Sequence, residues 1–77
     1  MAEKAVLLEE LKEAYPDVFQ AIQEEGGECW TTEEVTAEFE IIGFMAPFCT
    51  ATRRETGKKG SLTFVHRPRI YYGWREA

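Results

Sequence analysis

The sequence predicts an α+β domain in which two or three N-terminal helices are followed by a β-hairpin and a last strand. Three observations predict it. Leucines recur at helical spacing in the first fifteen residues, and a Pro-Asp pair opens a second amphipathic stretch. From residue 48 onward the chain changes to runs rich in Thr, Val and aromatics, separated by glycine-containing turns. The 77 residues make one domain, 1–77, near the low end of what folds without staples or a partner. With 44% hydrophobic and 13% aromatic residues the chain is too apolar to stay disordered. A core this thin leaves apolar surface that self-association would bury.

Leu7, Leu8, Leu11, Ala14 and Tyr15 form one helical stripe, with Glu9, Glu10, Lys12 and Glu13 on the wet side. Pro16 disfavours α geometry at Tyr15 and so ends this helix. The same proline suits the first position of a second helix, where Asp17 complements the dipole. Val18, Phe19 and Ile22 share its apolar face, and Gly26-Gly27 stops it. Two short helices joined at a proline form a corner.

The stretch from Thr31 to Ile42 carries two periodicities. Thr31-Thr32-Glu33-Glu34 reads as a capping box, with Val35, Phe39 and Ile42 at helical spacing. Val35, Ala37, Phe39 and Ile41 also alternate with Thr36, Glu38 and Glu40, as in a half-buried strand. The capping box favours a helix over roughly 32–40. Phe48–Arg54 and Ser61–His66 are β-prone, and the link between them holds Gly57 and Gly60, each able to take positive φ, which is a hairpin signal. Ile70–Trp74 reads as a further strand after Arg67-Pro68-Arg69. The order helix, helix, helix, hairpin resembles that of a winged-helix domain, in architecture alone. If residues 32–42 form a strand, the fold is instead two helices packed on an antiparallel sheet of three or four strands.

Net charge is −5, but it is unevenly spread. Residues 1–47 carry two basic and twelve acidic side chains; residues 48–77 carry seven basic and two acidic. Such asymmetry bears on partners. Arg53, Arg54, Lys58 and Lys59 cluster around the hairpin turn, Arg67 and Arg69 follow, and Tyr71, Tyr72 and Trp74 lie close behind. A protruding cationic loop neutralises phosphates, and nearby aromatics such as Tyr71 or Trp74 stack on bases. The plainer reading is that cations at a hairpin tip keep a small sheet soluble. Against DNA reading in particular, the third helix carries Glu33, Glu34, Glu38 and Glu40 and no Lys or Arg. His66-Arg67-Pro68-Arg69 offers an anion site, with Pro68 holding Arg67 extended, unless the guanidiniums pair with carboxylates of the acidic half. Phe44, Met45 and Phe48, with Trp74, are core by default; alternatively they form the apolar centre of an interface in which the acidic half of one copy meets the basic half of another.

Catalytic machinery is not recognisable. One histidine leaves no Ser-His-Asp constellation, and neither cysteine has a neighbouring base. Cys29, Cys49 and His66 lack the short spacing and fourth partner of a zinc site, so no metal or cofactor is expected. The Thr56-Gly57-Lys58-Lys59 run lacks the upstream glycine of a phosphate loop. The residues from Met1 to Tyr15 do not read as a secretory leader, the longest apolar run is far short of a membrane span, and two cysteines are too few for a disulfide framework, so a cytoplasmic location with reduced thiols is expected. The expectation is a non-catalytic binding module that touches nucleic acid weakly and salt-sensitively through its basic hairpin. The alternative is a protein-interaction or regulatory domain, as a homodimer or with another protein, pairing by charge complementarity.

Overall fold

The computed structural model describes residues 3–77. Met1 and Ala2, which open the segment read as helix rather than leader, lie outside them. In chain order the elements are α1 (Glu3–Ala14), α2 (Pro16–Glu24), β1 (Cys29–Trp30), α3 (Thr32–Glu38), β2 (Phe39–Met45), β3 (Phe48–Arg53), β4 (Lys59–Val65) and β5 (Ile70–Glu76). All five strands join one antiparallel sheet in the order β1-β5-β4-β3-β2. The domain is α+β, as expected, with three helices. The expected order and strand count do not hold, however: β1 separates α2 from α3, and β2 follows α3 directly and pairs with β3. The resemblance to a winged-helix domain, which rested on that order, loses its basis.

Local signals set the helix ends. Tyr15 N–H donates to Leu11 O at 2.7 Å, and Pro16 then starts α2 in its first turn. At the far end of α2, Gly26 and Gly27 take φ of 99° and 81°, and Gly27 N–H donates to Ile22 O at 2.7 Å, satisfying a terminal carbonyl. The capping box of α3 is complete: Glu34 N–H donates to Thr31 Oγ1 at 3.2 Å, and Thr31 N–H donates to Glu34 Oε1 at 3.1 Å. Burial alone would raise the Glu34 carboxyl, but the Lys4 ammonium at 3.0 Å and the Thr31 N–H hold it below its ordinary value. Its contribution to the cap is therefore present at neutral pH and lost as acid titrates the group below the usual carboxylate range.

Both periodicities of residues 31–42 are real, one after the other. Val35 and Phe39 lie a helical turn apart and are both buried; at Phe39 the backbone becomes extended (φ −131°, ψ 150°) and alternation takes over. The helix ends at Glu38 rather than near residue 40, because Phe39 is needed opposite Arg53 in the β2–β3 ladder and Arg54 N–H caps Glu38 O at 2.9 Å.

The sheet separates two apolar clusters. On the face covered by α3, cross-strand neighbours Ile41 and Ala51, then Phe44, Cys49 and Leu62, pack with Trp30, Val35, Phe39, Phe64, Tyr71 and Trp74. On the opposite face, Leu11 of α1 and Ile22 of α2 are buried with Cys29 and Ile70, flanked by Leu7, Leu8, Val18, Phe19, Val65 and Tyr72. Helices α1 and α2 thus cover this face at β1, β5 and the end of β4. Among the described residues nothing covers it over β2 and β3, where the register lines up Met45, Phe48 and Thr63 in one row and Gly43, Thr50 and Ser61 in the next.

Two turn expectations divide. Gly57 takes φ 72° in the β3–β4 turn, but Gly60 does not adopt positive φ; it lies where β5 passes so close that a side chain would meet the Arg75 backbone. Arg67, expected to be extended before Pro68, has φ 51°, left-handed, in the turn from β4 to β5. Reversing the chain within four residues overrides the local preference of a pre-proline residue.

Candidate functional site

The cations named from the sequence are dispersed and largely engaged. Arg53 lies over the Phe39 ring at 5.4 Å and pairs with Glu38 at 3.9 Å. Arg54 Nε donates to Thr36 O at 3.1 Å, tying the β3 end to α3. Lys58 reaches Glu76 at 3.9 Å, and Arg75 reaches Glu25 of the α2 end at 3.3 Å. Lys59 and Arg67 are exposed and make no ion pair among the described residues. They sit at opposite ends of β4.

Arg69 is held inside the fold. Its guanidinium carbon stands 4.6 Å from the Phe64 ring centre, 5.5 Å from Tyr71 and 5.6 Å from Phe44. Its Nε donates to Tyr71 Oη at 3.1 Å and its Nη1 contacts His66 Nδ1 at 2.9 Å. Arginine only donates, so His66 Nδ1 accepts and a neutral ring carries its proton on Nε2. Tyr15 Oη donates to His66 O at 2.7 Å, pinning the same turn to the helices. His66 and Arg69 therefore come together, but to each other and to aromatic rings. Arg67 does not join them.

The aromatics named as base stackers are similarly committed. Tyr71 is 3% exposed. Trp74 packs on Phe39 with ring centres 4.8 Å apart, and its indole N–H is buried without a partner among the described residues. Tyr72 is half-buried, and burial, then the nearby Glu25, push its hydroxyl up. The two thiols are in different clusters on opposite faces, Cys29 beneath the helices and Cys49 beneath α3; burial pushes both up and away from reactive thiolate.

What stands out is the β2–β3 hairpin. Ile42 is 62% exposed, Phe44 56%, Met45 79% and Phe48 51%. The default reading of Phe44, Met45 and Phe48 as core is overturned by these exposures. The reason is topological: β2 is the outer strand, and α1 and α2 cover the opposite face only at β1, β5 and the end of β4, which leaves Phe48 of β3 open along with Met45. Phe44 lies on the α3 side with its ring edge against Phe64 at 5.5 Å, whereas Met45 and Phe48 form the end row of the uncovered face. An open apolar hollow of about 240 Å³ lies beside Gly43, Phe44, Met45, Phe48, Cys49 and Thr50. Ile42, which sequence reasoning placed on a helical core stripe, is the extra residue of a β-bulge between Ile41 and Gly43 and projects outward. The strand reading contained the signal, since Ile42 shares parity with Glu38 and Glu40 on the wet side.

Among the described residues no helix is long and apolar enough to cross a membrane, and no group of three or more His, Cys, Asp or Glu side chains is placed to hold a metal ion. Comparison with protein-family models, with curated proteins and with solved structures found no match to this chain.

Proposed function

We propose that the domain is a protein-interaction module that makes contact through the tip and outer edge of the β2–β3 hairpin. The observation that supports it is the gathering of Ile42, Phe44, Met45 and Phe48, each more than half exposed, on a single hairpin. Scattered apolar residues on a surface need no explanation; four on one hairpin of a small domain do, because water is expelled only if something covers them. The outer side of β2 adds unpaired backbone groups, so a partner strand gains main-chain hydrogen bonds as well as apolar contact. Edge strands that must stay single commonly carry Lys, Pro or a bulge; between Phe39 and Met45 there is no Lys or Pro, and the one such device is the bulge at Ile42.

Contact with nucleic acid through the basic hairpin has less behind it. Arg53, Arg54, Lys58 and Arg69 each have an intramolecular partner, Tyr71 is buried, and the chain as a whole is acidic. A benzophenone photo-crosslinker in place of Met45, compared with one in place of the exposed Glu9 on α1, tests the interaction reading in cells expressing the full chain. Discrete protein adducts are expected from position 45 and none from position 9. No adducts at 45, or the same adducts at both, contradict it.

A further inference from the structure

We infer that Met45 is an oxidative modification site, where a hydroperoxide converts the thioether to a sulfoxide and so switches off the contacts of the hairpin. The switch rests on the interaction reading above; the oxidation does not. The described residues hold three sulfur atoms, and the fold treats them oppositely. Cys29 and Cys49 are 5% and 0% exposed, and burial pushes both thiols up. The thiolate that attacks a peroxide is therefore both scarce and out of reach. Met45 is 79% exposed, the most open large apolar side chain among the described residues. A thioether needs no deprotonation, so exposure governs its oxidation. With the cysteines closed off, the methionine is left as the target.

The step balances without any group from the protein. A sulfur lone pair of Met45 takes one oxygen of hydrogen peroxide: an S–O bond forms, the O–O bond breaks, and the proton of the transferred oxygen passes to the departing hydroxide, which leaves as water. Sulfur is oxidised by two electrons and the peroxide reduced by two. What the fold supplies is the consequence. Met45 stands opposite Phe48 in the last row before the β2–β3 turn, beside the apolar hollow of about 240 Å³. In the free chain, water solvates the new sulfoxide oxygen and the packing of both clusters is untouched. Under a partner that oxygen loses its water, and the one hydroxyl lining the hollow, that of Thr50, lies in the next row. A polar group covered without a hydrogen-bond partner costs affinity, where the thioether had contributed to it.

Treating the purified full chain with hydrogen peroxide, then mapping its peptides by mass spectrometry, tests the site. Met45 should gain one oxygen at a rate within about threefold of that in the urea-unfolded chain, while Cys29 and Cys49 react at least about tenfold more slowly than when unfolded. The oxidised chain should keep its urea midpoint. A benzophenone crosslinker in place of Phe48, directly across from Met45, tests the switch in cells expressing the full chain. Met45→Gln, which sets a carbonyl oxygen close to where the sulfoxide oxygen would be, should reduce the adducts by about tenfold. Met45→Leu should keep them, and should keep them under peroxide when the chain with Met45 loses its own. Oxidation of Met45 no more complete in the folded chain than that of the two cysteines overturns the site. Adducts that survive both peroxide and Met45→Gln overturn the switch and leave the interaction reading standing. No adducts from position 48 or position 45 overturn that reading and the switch with it, and the peroxide measurement then judges the site by itself.

Discussion

Phe39→Ala should leave the domain largely unfolded at moderate urea concentrations. Phe39 is fully buried at the junction of α3 and β2, with its ring edge-on to Trp30 at 5.2 Å, tilted against Trp74 at 4.8 Å, and under the Arg53 guanidinium. Truncating a phenylalanine in such a site costs about 3–5 kcal/mol, from lost transfer energy and the cavity left behind. A small domain has about 5 kcal/mol or little more in total. The neighbouring rings cannot collapse into the space, since Trp30 is fixed by its pairing with Tyr71 and Trp74 by its place on β5. Urea unfolding followed by tryptophan fluorescence measures this, with both reporters beside the lesion. A loss below about 1 kcal/mol contradicts the packing described.

The second large effect is expected from the smallest change, Gly60→Ala. A β-carbon there would collide with the Arg75 carbonyl oxygen and stand 2.7 Å from Cη2 of Trp74. The indole could move only by leaving Phe39, and the carbonyl only by separating β4 from β5. Overpacking of this kind costs about 1–3 kcal/mol, and more where backbone must shift. Gly43→Ala is the matched comparison, because its β-carbon would meet nothing nearer than Thr50 Oγ1 at 3.7 Å. Replacing a strand glycine without a clash gains about 0.5–1 kcal/mol. Thermal denaturation of the pair should therefore give opposite signs; equal shifts would mean that β4 and β5 do not approach as closely as described.

The helices were legible because their signals are local. The stripe from Leu7 to Tyr15, the proline at 16, the Gly-Gly stop and the Thr31–Glu34 box each act within a turn of themselves, and each is found in place except for Ala14 of the stripe, which is exposed. The hairpin was legible from composition and Gly57, with strands expected at 48–54 and 61–66 and found at 48–53 and 59–65; Gly60, expected in the turn, belongs to β4. The pairing of Cys29-Trp30 with Tyr71-Tyr72, across more than forty residues, was not, because nothing in a two-residue run marks it as a strand. Residues 31–42 show a subtler limit. Two periodicities were both present, and only the demand of β3 for a partner fixed where one yields to the other. The cations illustrate the same point for function. Charge along the sequence suggested one accessible basic surface, yet Arg53 and Arg69 are engaged by Glu38 and the ring of His66, and Arg54, though exposed, is tied to Thr36 O, groups that composition cannot pair with them. The exposed tip was hidden for the converse reason. Phe44, Met45 and Phe48 look like core until the topology puts β2 at the margin of the sheet.

An interaction surface on this hairpin requires Ile42, Met45 and Phe48 to be surface, held outside the core and available to a partner. Replacing all three with serine and comparing unfolding free energy with that of the unaltered chain tests it most directly, at a concentration low enough to keep the chain monomeric. The expected loss is within about 1 kcal/mol, as for substitutions away from packed sites. A loss approaching the several kcal/mol of a core truncation would show that these side chains hold the domain together, and would leave no apolar surface to offer.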